Sequence, residues 1–491
     1  MTEIVSLDWL ALTVFVPLLG AVLSFLVPRI APQIGLMTLA LAGLCVTMLA
    51  LQVIPGGPVI VALGGWGAPL GLDLRADGLA IIMLGMNVLV GGFVSLGALD
   101  TFSARHAGEE SARMRRYFWP LWLLLLCGLN GAYLSTDIFN LYVMIEVIAL
   151  AAIGLTVLTG RLDAMRAGLE YMFASMLGAL LFLMAVGLAY LQAGRLDFAG
   201  LAVHAGEPAM MLAFALMLVG LALKTALFPL HFWLPNAHAS ASAPASALLS
   251  GLVLKASLYI LLRFWVEIFG PGERIGMLVG AMGTGAIIWG SVQALRTQRL
   301  KLLVAWSTVA QIGLICVAFA LAGTIGAQTA WQGAVLLMVA HAVAKAAMFL
   351  AAGRIAQETG HDRIADLDRS HLRPTLAQFA FALAAISLIG LPPSAGFAGK
   401  WLLMEGAMRA GAWIWVVVAM AGTLFSVAYL SRPLIGFLRF DRAPDPVGEH
   451  HGWAIADAPP LMLAVIAVIS GLVAVQIIGV ISIGAPFGAV P

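Results

Sequence analysis

Four of the five lysines in this 491-residue chain lie inside long apolar runs. Lys224 sits in GLALKTALFPL, Lys255 in SGLVLKASLYILL, Lys345 in HAVAKAAMFLAAG and Lys400 in GFAGKWLL; only Lys301, in RTQRLKLL, has basic neighbours. A chain crossing lipid must satisfy its backbone polar groups internally, so such runs cross as helices. A charged group at the bilayer centre costs about 2.5–3.5 kcal/mol on insertion scales, so it turns inward and marks an ion or proton path. A buried lysine can release its proton, whereas arginine stays charged. Four buried lysines beside twenty-one arginines therefore read as a titrating path.

With 62% hydrophobic and 10% charged residues, the chain has no room for a sizeable soluble domain. The net charge of +2 says little, because its distribution matters more; no nucleic-acid partner is expected. Cys45, Cys127 and Cys316 lie in apolar stretches without a CxxC spacing, which supports neither an iron–sulfur cluster nor zinc. No cofactor and no metal site are expected. Glu3 and Asp8 precede the first apolar run, which lacks the basic n-region of a cleaved signal peptide.

Spans are expected near 8–28, 33–54, 79–100, 117–134, 138–159, 166–191, 209–239, 244–268, 275–294, 302–322, 331–353, 375–410, 412–438 and 455–480. Each is long enough to cross about 30 Å of hydrocarbon. Loops after odd-numbered spans carry 17 basic residues, against four in loops after even-numbered spans, with Arg263 at a helix end. The positive-inside rule then puts both termini on the non-cytoplasmic side.

Two spans look broken. The seventh contains Pro229 and Pro235, and the twelfth contains Pro392 and Pro393 ahead of Lys400. Proline removes a backbone donor, so the carbonyl of Thr225 is expected to lose its helical partner. Irregular backbone at membrane depth is tolerated where it lines an enclosed, hydrated cavity. The breaks are five spans apart and so run in opposite directions, and paired breaks in inverted halves point to a transport site. The expected fold is therefore an all-α polytopic membrane protein of about 14 transmembrane helices, with two inverted five-helix repeats and broken helices 7 and 12. Its expected divisions are 1–116 (spans 1–3), 117–270 (first repeat), 271–410 (core of the second repeat) and 411–491 (spans 13 and 14).

Glu146 lies in IFNLYVMIEVIALAAIG without a basic residue in its own span. It needs a partner or must be protonated. Lys224 is the expected partner, either as a switch or as a static pair. His231 and His238 follow the seventh-span break, and His341 stands one helical turn before Lys345. A histidine near its ordinary pKa can relay protons, although a buried one is also a common packing residue. Asp137 reads as a possible relay at the aqueous face or as a helix N-cap. Glu170 reads as interfacial. GAMGTGA, mid-span, reads as helix packing rather than a nucleotide loop.

FPLHFWLPNAHASASAPASALLSG, HAVAKAAMFLAAG and GLPPSAGFAGK make the chain resemble the antiporter-like subunits shared by Mrp multisubunit Na+/H+ antiporters, membrane-bound hydrogenases and respiratory complex I. The resemblance covers nearly the whole chain. It implies that Glu146 and Lys224 are the family's glutamate–lysine pair, Lys255 its connecting lysine, His341 and Lys345 part of the central hydrophilic axis, and Lys400 the terminal residue, where the family also uses glutamate. FNLYVMIEV and SALLSGLVLKASLYILLR look most like the D-type branch of the Mrp antiporters. Complex I members often have histidine where Ser250 stands and aspartate where Asn236 stands. One departure is Ile145, where an aromatic is common; it leaves the glutamate assignment intact.

The resemblance implies a proton-translocating subunit in the cell membrane of a prokaryote, partnered by other membrane subunits and without redox chemistry of its own. Sodium, if it moves, would pass through a partner. The rivals are a pumping subunit of a complex I-like oxidoreductase or membrane-bound hydrogenase, a stand-alone secondary transporter, and a non-transporting scaffold. A scaffold would gain nothing from the insertion cost of four lysines.

Overall fold

The computed structural model describes residues 8–102, 109–270, 272–369, 375–438 and 455–484. Of the basic loop residues, Arg105, Arg373, Arg439 and Arg442 lie outside the described residues, as does Pro491. The helices are α1 (Trp9–Leu26), α2 (Ala31–Gly56), α3 (Gly78–Thr101), α4 (Glu109–Leu134), α5 (Ile138–Val157), α6 (Leu162–Ala193), α7a (Pro208–Thr225), α7b (Leu234–Ser240), α8 (Ala243–Phe269), α9 (Glu273–Arg296), α10 (Leu300–Leu321), α11 (Ala327–Thr359), α12a (Leu376–Ile389), α12b (Ala395–Arg409), α13 (Trp413–Phe437) and α14 (Ala458–Ile481). Thirteen described helices are long and apolar enough to cross a membrane, and α12a with α12b supplies the fourteenth crossing. One addition to the all-helical expectation is a short antiparallel hairpin, β1 (Val59–Ala62) with β2 (Asp73–Ala76), between α2 and α3.

Loop contacts sort the helix ends into two sets. Bridges join Leu74 to Ser135 and Asp137 to Asp197, tying together loops that follow α2, α4 and α6. The Gly78 N–H donates to the Ile483 carbonyl, adding the end of α14 to that set. On the other set, Arg299 bridges Arg363, Arg113 donates to the carbonyls of Leu158 and Thr159, and Arg432 donates to those of Ala294, Leu295 and Thr297. Consecutive spans therefore run antiparallel, and the arginine-rich loops share one end.

Burial runs inward from the periphery. The apolar window of α8 is wholly buried, that of α11 is 94% buried and that of α10 is 89% buried, whereas α14 buries 28% of its window. The helices carrying Lys255 and Lys345 thus form the centre, where a side chain meets only protein.

Both breaks begin at a residue in the left-handed conformation. α7a stops at Thr225 because Ala226 takes the left-handed conformation, φ +55°. The break thus begins ahead of Pro229, so the ladder is interrupted earlier than at the Thr225 carbonyl, where proline alone would interrupt it. The Leu227 N–H returns to the Ala222 carbonyl, and the Trp233 indole donates to the Leu223 carbonyl at 2.9 Å. α12a stops at Gly390, φ +86°, whose N–H and that of Leu391 both return to the Ile386 carbonyl. Pro392 and Pro393 follow, and Ser394 caps α12b by accepting from the Phe397 N–H.

Each broken helix is braced by a glycine contact. A Cβ on Gly220 of α7a would lie 2.6 Å from the Gly178 carbonyl of α6. A Cβ on Gly399 of α12b would lie 2.9 Å from the Gly333 carbonyl of α11. Small residues permit this approach in membrane bundles. Gly220→Leu should force α6 and α7a apart at a cost of about 1–3 kcal/mol or more, lowering the folded protein recovered from membranes. Gly187→Leu, at an open position of α6, should leave recovery unchanged. Equal recovery of both variants would show that the α6–α7a approach is not needed.

Candidate functional site

Three helices converge on Lys224. Its Nζ lies 2.9 Å from Glu146 Oε1 of α5 and donates to Ser175 Oγ of α6, also at 2.9 Å. The lysine side chain is 8% exposed and the glutamate 29%, so the charge pair has an inner and an outer member. Beside it is a small cavity of about 20 Å³, lined by Tyr171, Ser175, Lys224, Val253, Ala256 and Ser257 among others. The pocket separates Lys224 from α8. Thr225 Oγ1 lies 2.9 Å from Ser257 Oγ across the same gap.

Lys255 and His341 meet at the centre. α8 contains a π-helical turn at Leu249–Val253, and the Lys255 ammonium donates to the Ser250 carbonyl in that turn. π turns loosen the backbone ladder and recur at functional sites. Lys255 Nζ also lies 2.6 Å from His341 Nδ1. A hydrogen bond there requires one lone pair, so the two groups cannot both be fully protonated toward each other. The contact can hold one shared proton.

α10 joins the rest. Lys345 Nζ donates to the Val304 carbonyl at 2.8 Å and to Ser307 Oγ. Thr308 Oγ1 donates to the same Val304 carbonyl and lies 3.0 Å from Ser250 Oγ. A string of polar contacts therefore runs from Lys255 through Ser250, Thr308 and the Val304 carbonyl to Lys345. One turn further, Gln311 Nε2 lies 3.4 Å from the Leu388 carbonyl and donates to Ser426 Oγ at 2.9 Å, with Tyr429 Oη at 3.3 Å. Lys400 Nζ donates to the Leu388 and Ile389 carbonyls at 2.9 and 2.8 Å, the acceptors left free where α12a ends. Ser307, Thr308 and Gln311 carry no charge and do not stand out in the sequence. Their signal is a polar stripe at i, i+1 and i+4 of an otherwise apolar helix, WSTVAQIG.

The remaining candidates lie beside this line. His231 stacks on Phe228 and meets the Trp306 ring edge-on. His238, in α7b, packs its ring 5.5 Å from that of Phe349, and both its ring nitrogens are buried without a hydrogen-bond partner. Phe349 is one turn from Lys345 on α11, toward the arginine-rich end. Asp137 caps α5, accepting from the Phe139 and Asn140 N–H groups at 2.9 and 2.8 Å. Burial, with Asp197 nearby, pushes its carboxyl up despite those two donors. Nine residues separate it from Glu146, about 14 Å along the helix. Glu170 accepts from Asn236 Nδ2 at 2.9 Å, linking α6 to α7b.

Residues 135–426 match the family described as NADH:quinone oxidoreductase/Mrp antiporter, transmembrane. The chain belongs to that family. It is 35% identical over 433 residues to an NADH-quinone oxidoreductase subunit N of Desulforudis audaxviator, covering 86% of this chain and 84% of the relative. It is 34% identical over 391 residues to the D-type subunit of a Na(+)/H(+) antiporter of Alkalihalophilus pseudofirmus, covering 77% of this chain and 76% of the relative. Its fold is similar to a chain of the Mrp complex from a Dietzia species, with TM-score 0.86 at 24% identity over 97% of each chain.

Gln311→Leu removes the donor that joins α10 to α12a and α13. It leaves buried oxygens of Ser426 and Tyr429 with fewer partners, at about 1–3 kcal/mol. The variant should assemble and lose several-fold in proton flux measured in everted vesicles. Unchanged flux at equal protein level would remove Gln311 from the path.

Proposed function

We propose that the chain is the proton-translocating, antiporter-like subunit of a multisubunit monovalent cation (Na+)/proton antiporter. The observation that carries this reading is the string of polar groups from Glu146 and Lys224 through Lys255, His341 and Lys345 to Lys400, in which, among the described residues, only the first lysine has a carboxylate partner. A static scaffold would pair each buried charge with an opposite one. Here carbonyls, hydroxyls and an imidazole hold the other three, and such acceptors bind a proton carrier without neutralising it. Glu146 holds the Lys224 ammonium; parting the pair releases the proton toward the pocket beside α8. His341 and Lys255 share the next proton, and α10 carries it on to Lys345 and Lys400.

The subunit works inside a hetero-oligomeric membrane assembly, as its relatives' names describe for them. Residues 117–270 and 271–410 supply the first repeat and the core of the second, between spans 1–3 and spans 13 and 14. The arginine-rich end faces the cytoplasm of a prokaryotic cell, with both termini outside. Sodium passes through a partner subunit. A second reading, a pumping subunit of a complex I-like oxidoreductase, draws on the relative of 35% identity.

Flux through the reconstituted assembly tests the roles. Glu146→Gln and Lys224→Ala should assemble and lose most cation-driven proton transport. Lys345→Met should abolish it, and His341→Ala should only slow it, since water can bridge the gap. Lys400→Leu should fail where Lys400→Glu retains part of the activity. Wild-type flux in the glutamine or methionine variant would overturn the reading.

Sidedness has its own test. A cysteine replacing Leu70, 85% exposed in the hairpin loop, should react with an impermeant thiol reagent in intact spheroplasts. Labelling only after the membrane is opened would reverse the orientation.

A further inference from the structure

Lys255, Tyr259, Arg263 and Glu267 recur every fourth residue of α8 and share one face. That face runs from the centre of the bundle to the end opposite the arginine-rich loops. Tyr259 Oη donates to the Tyr133 carbonyl at 2.7 Å, and the two rings lie 4.9 Å apart. Tyr133 Oη is buried without a hydrogen-bond partner, so this stretch keeps unused polar capacity. It is a second polar route away from Lys255, leading directly to one surface instead of across to Lys345.

Arg263 stands in that route. Its Nη2 lies 2.6 Å from Asp77 Oδ1 and its Nη1 2.5 Å from Glu267 Oε1. Its guanidinium carbon lies 4.9 Å from the centre of the Tyr259 ring. Arg75 closes the group, 2.5 Å from Glu267 Oε2 and 3.5 Å from Asp77 Oδ2. Arg263 and Asp77 are 3% and 0% exposed, while Glu267 and Arg75 reach toward solvent at 13% and 24%. Asp77 also caps α3 through the Ala80 N–H, which fixes the clamp to a second helix. Burial alone would raise the Asp77 carboxyl; Arg263 and Arg75 outweigh it and hold it below its ordinary value.

An arginine cannot release a proton in a protein, so a guanidinium locked between two carboxylates interrupts a chain of proton donors and acceptors. We propose that Arg263, clamped by Asp77 and Glu267, is a non-titrating seal that closes the Lys255–Tyr259 route to protons at the end where α3 begins. The seal confines protons at Lys255 to the path through His341 and α10. The inference rests on the proton-path reading above and assigns Arg263 a positioning and barrier role rather than a relay role. A purely structural clamp would brace α8 against α3 and leave proton permeability untouched.

Two variants separate these roles. Arg263→Lys keeps a charge that reaches Asp77 but can shed its proton. Arg263→Gln with Asp77→Asn removes both charges at near-constant volume and leaves no buried ion unpaired. The complete assembly is reconstituted into liposomes. Passive decay of an imposed pH gradient is read with a trapped dye in the absence of sodium, and sodium-driven exchange is read in parallel. Wild type should hold the gradient, and both variants should dissipate it several-fold faster. A wild-type decay rate in assembled Arg263→Lys overturns the seal, whether or not exchange is altered, and this variant decides alone if the double variant fails to assemble. If wild type shows no sodium-driven exchange while the variants leak, the proposed function fails and the seal stands.

Discussion

An ammonium group placed among packed helices must find acceptors, and most of the unusual backbone in this protein supplies them. Lys255 is held by the Ser250 carbonyl of a π-helical turn, and Lys400 by two carbonyls at the end of α12a. Lys345 shares the Val304 carbonyl with Thr308. Hydrogen bonds to a charged group contribute about 1.5–3 kcal/mol each. Two such bonds offset an insertion cost of about 2.5–3.5 kcal/mol. The lysines are thus accommodated by neutral acceptors that do not fix the proton in place.

The first lysine is different. Among the described residues Lys224 alone of the line's lysines has a carboxylate, and Glu146 is the most exposed member of the line at 29%. Glu146 stands on α5 and Lys224 on α7a, so a movement of α5 would act on this contact directly. In the proposed function, the pair is where conformational change meets proton transfer, and the other lysines conduct.

Much of this is legible in the sequence. Four lysines in apolar runs, the proline-bearing spans and Glu146 without a neighbour each break a rule of membrane composition, so each points to the interior. The fourteen crossings follow from run length. The acceptors are harder to read because they are backbone carbonyls, which every residue carries. Ala226, whose left-handed φ ends α7a, is an ordinary helix former by sequence. The α10 stripe of Ser307, Thr308 and Gln311 is easily passed over because no charge marks it. Arg263 reads as a helix-end residue, since its partner Asp77 meets it only in three dimensions.

The central claim is that these lysines exchange protons and do not merely provide positive charge. Lys345→Arg tests it most directly, because arginine keeps the charge and gives up the ability to release a proton. Sodium-driven proton flux should be measured in liposomes containing the assembled complex, at matched protein content. The arginine variant should assemble and conduct no protons. Flux equal to wild type would show that Lys345 serves only as a fixed charge, and the proton path would have to run elsewhere.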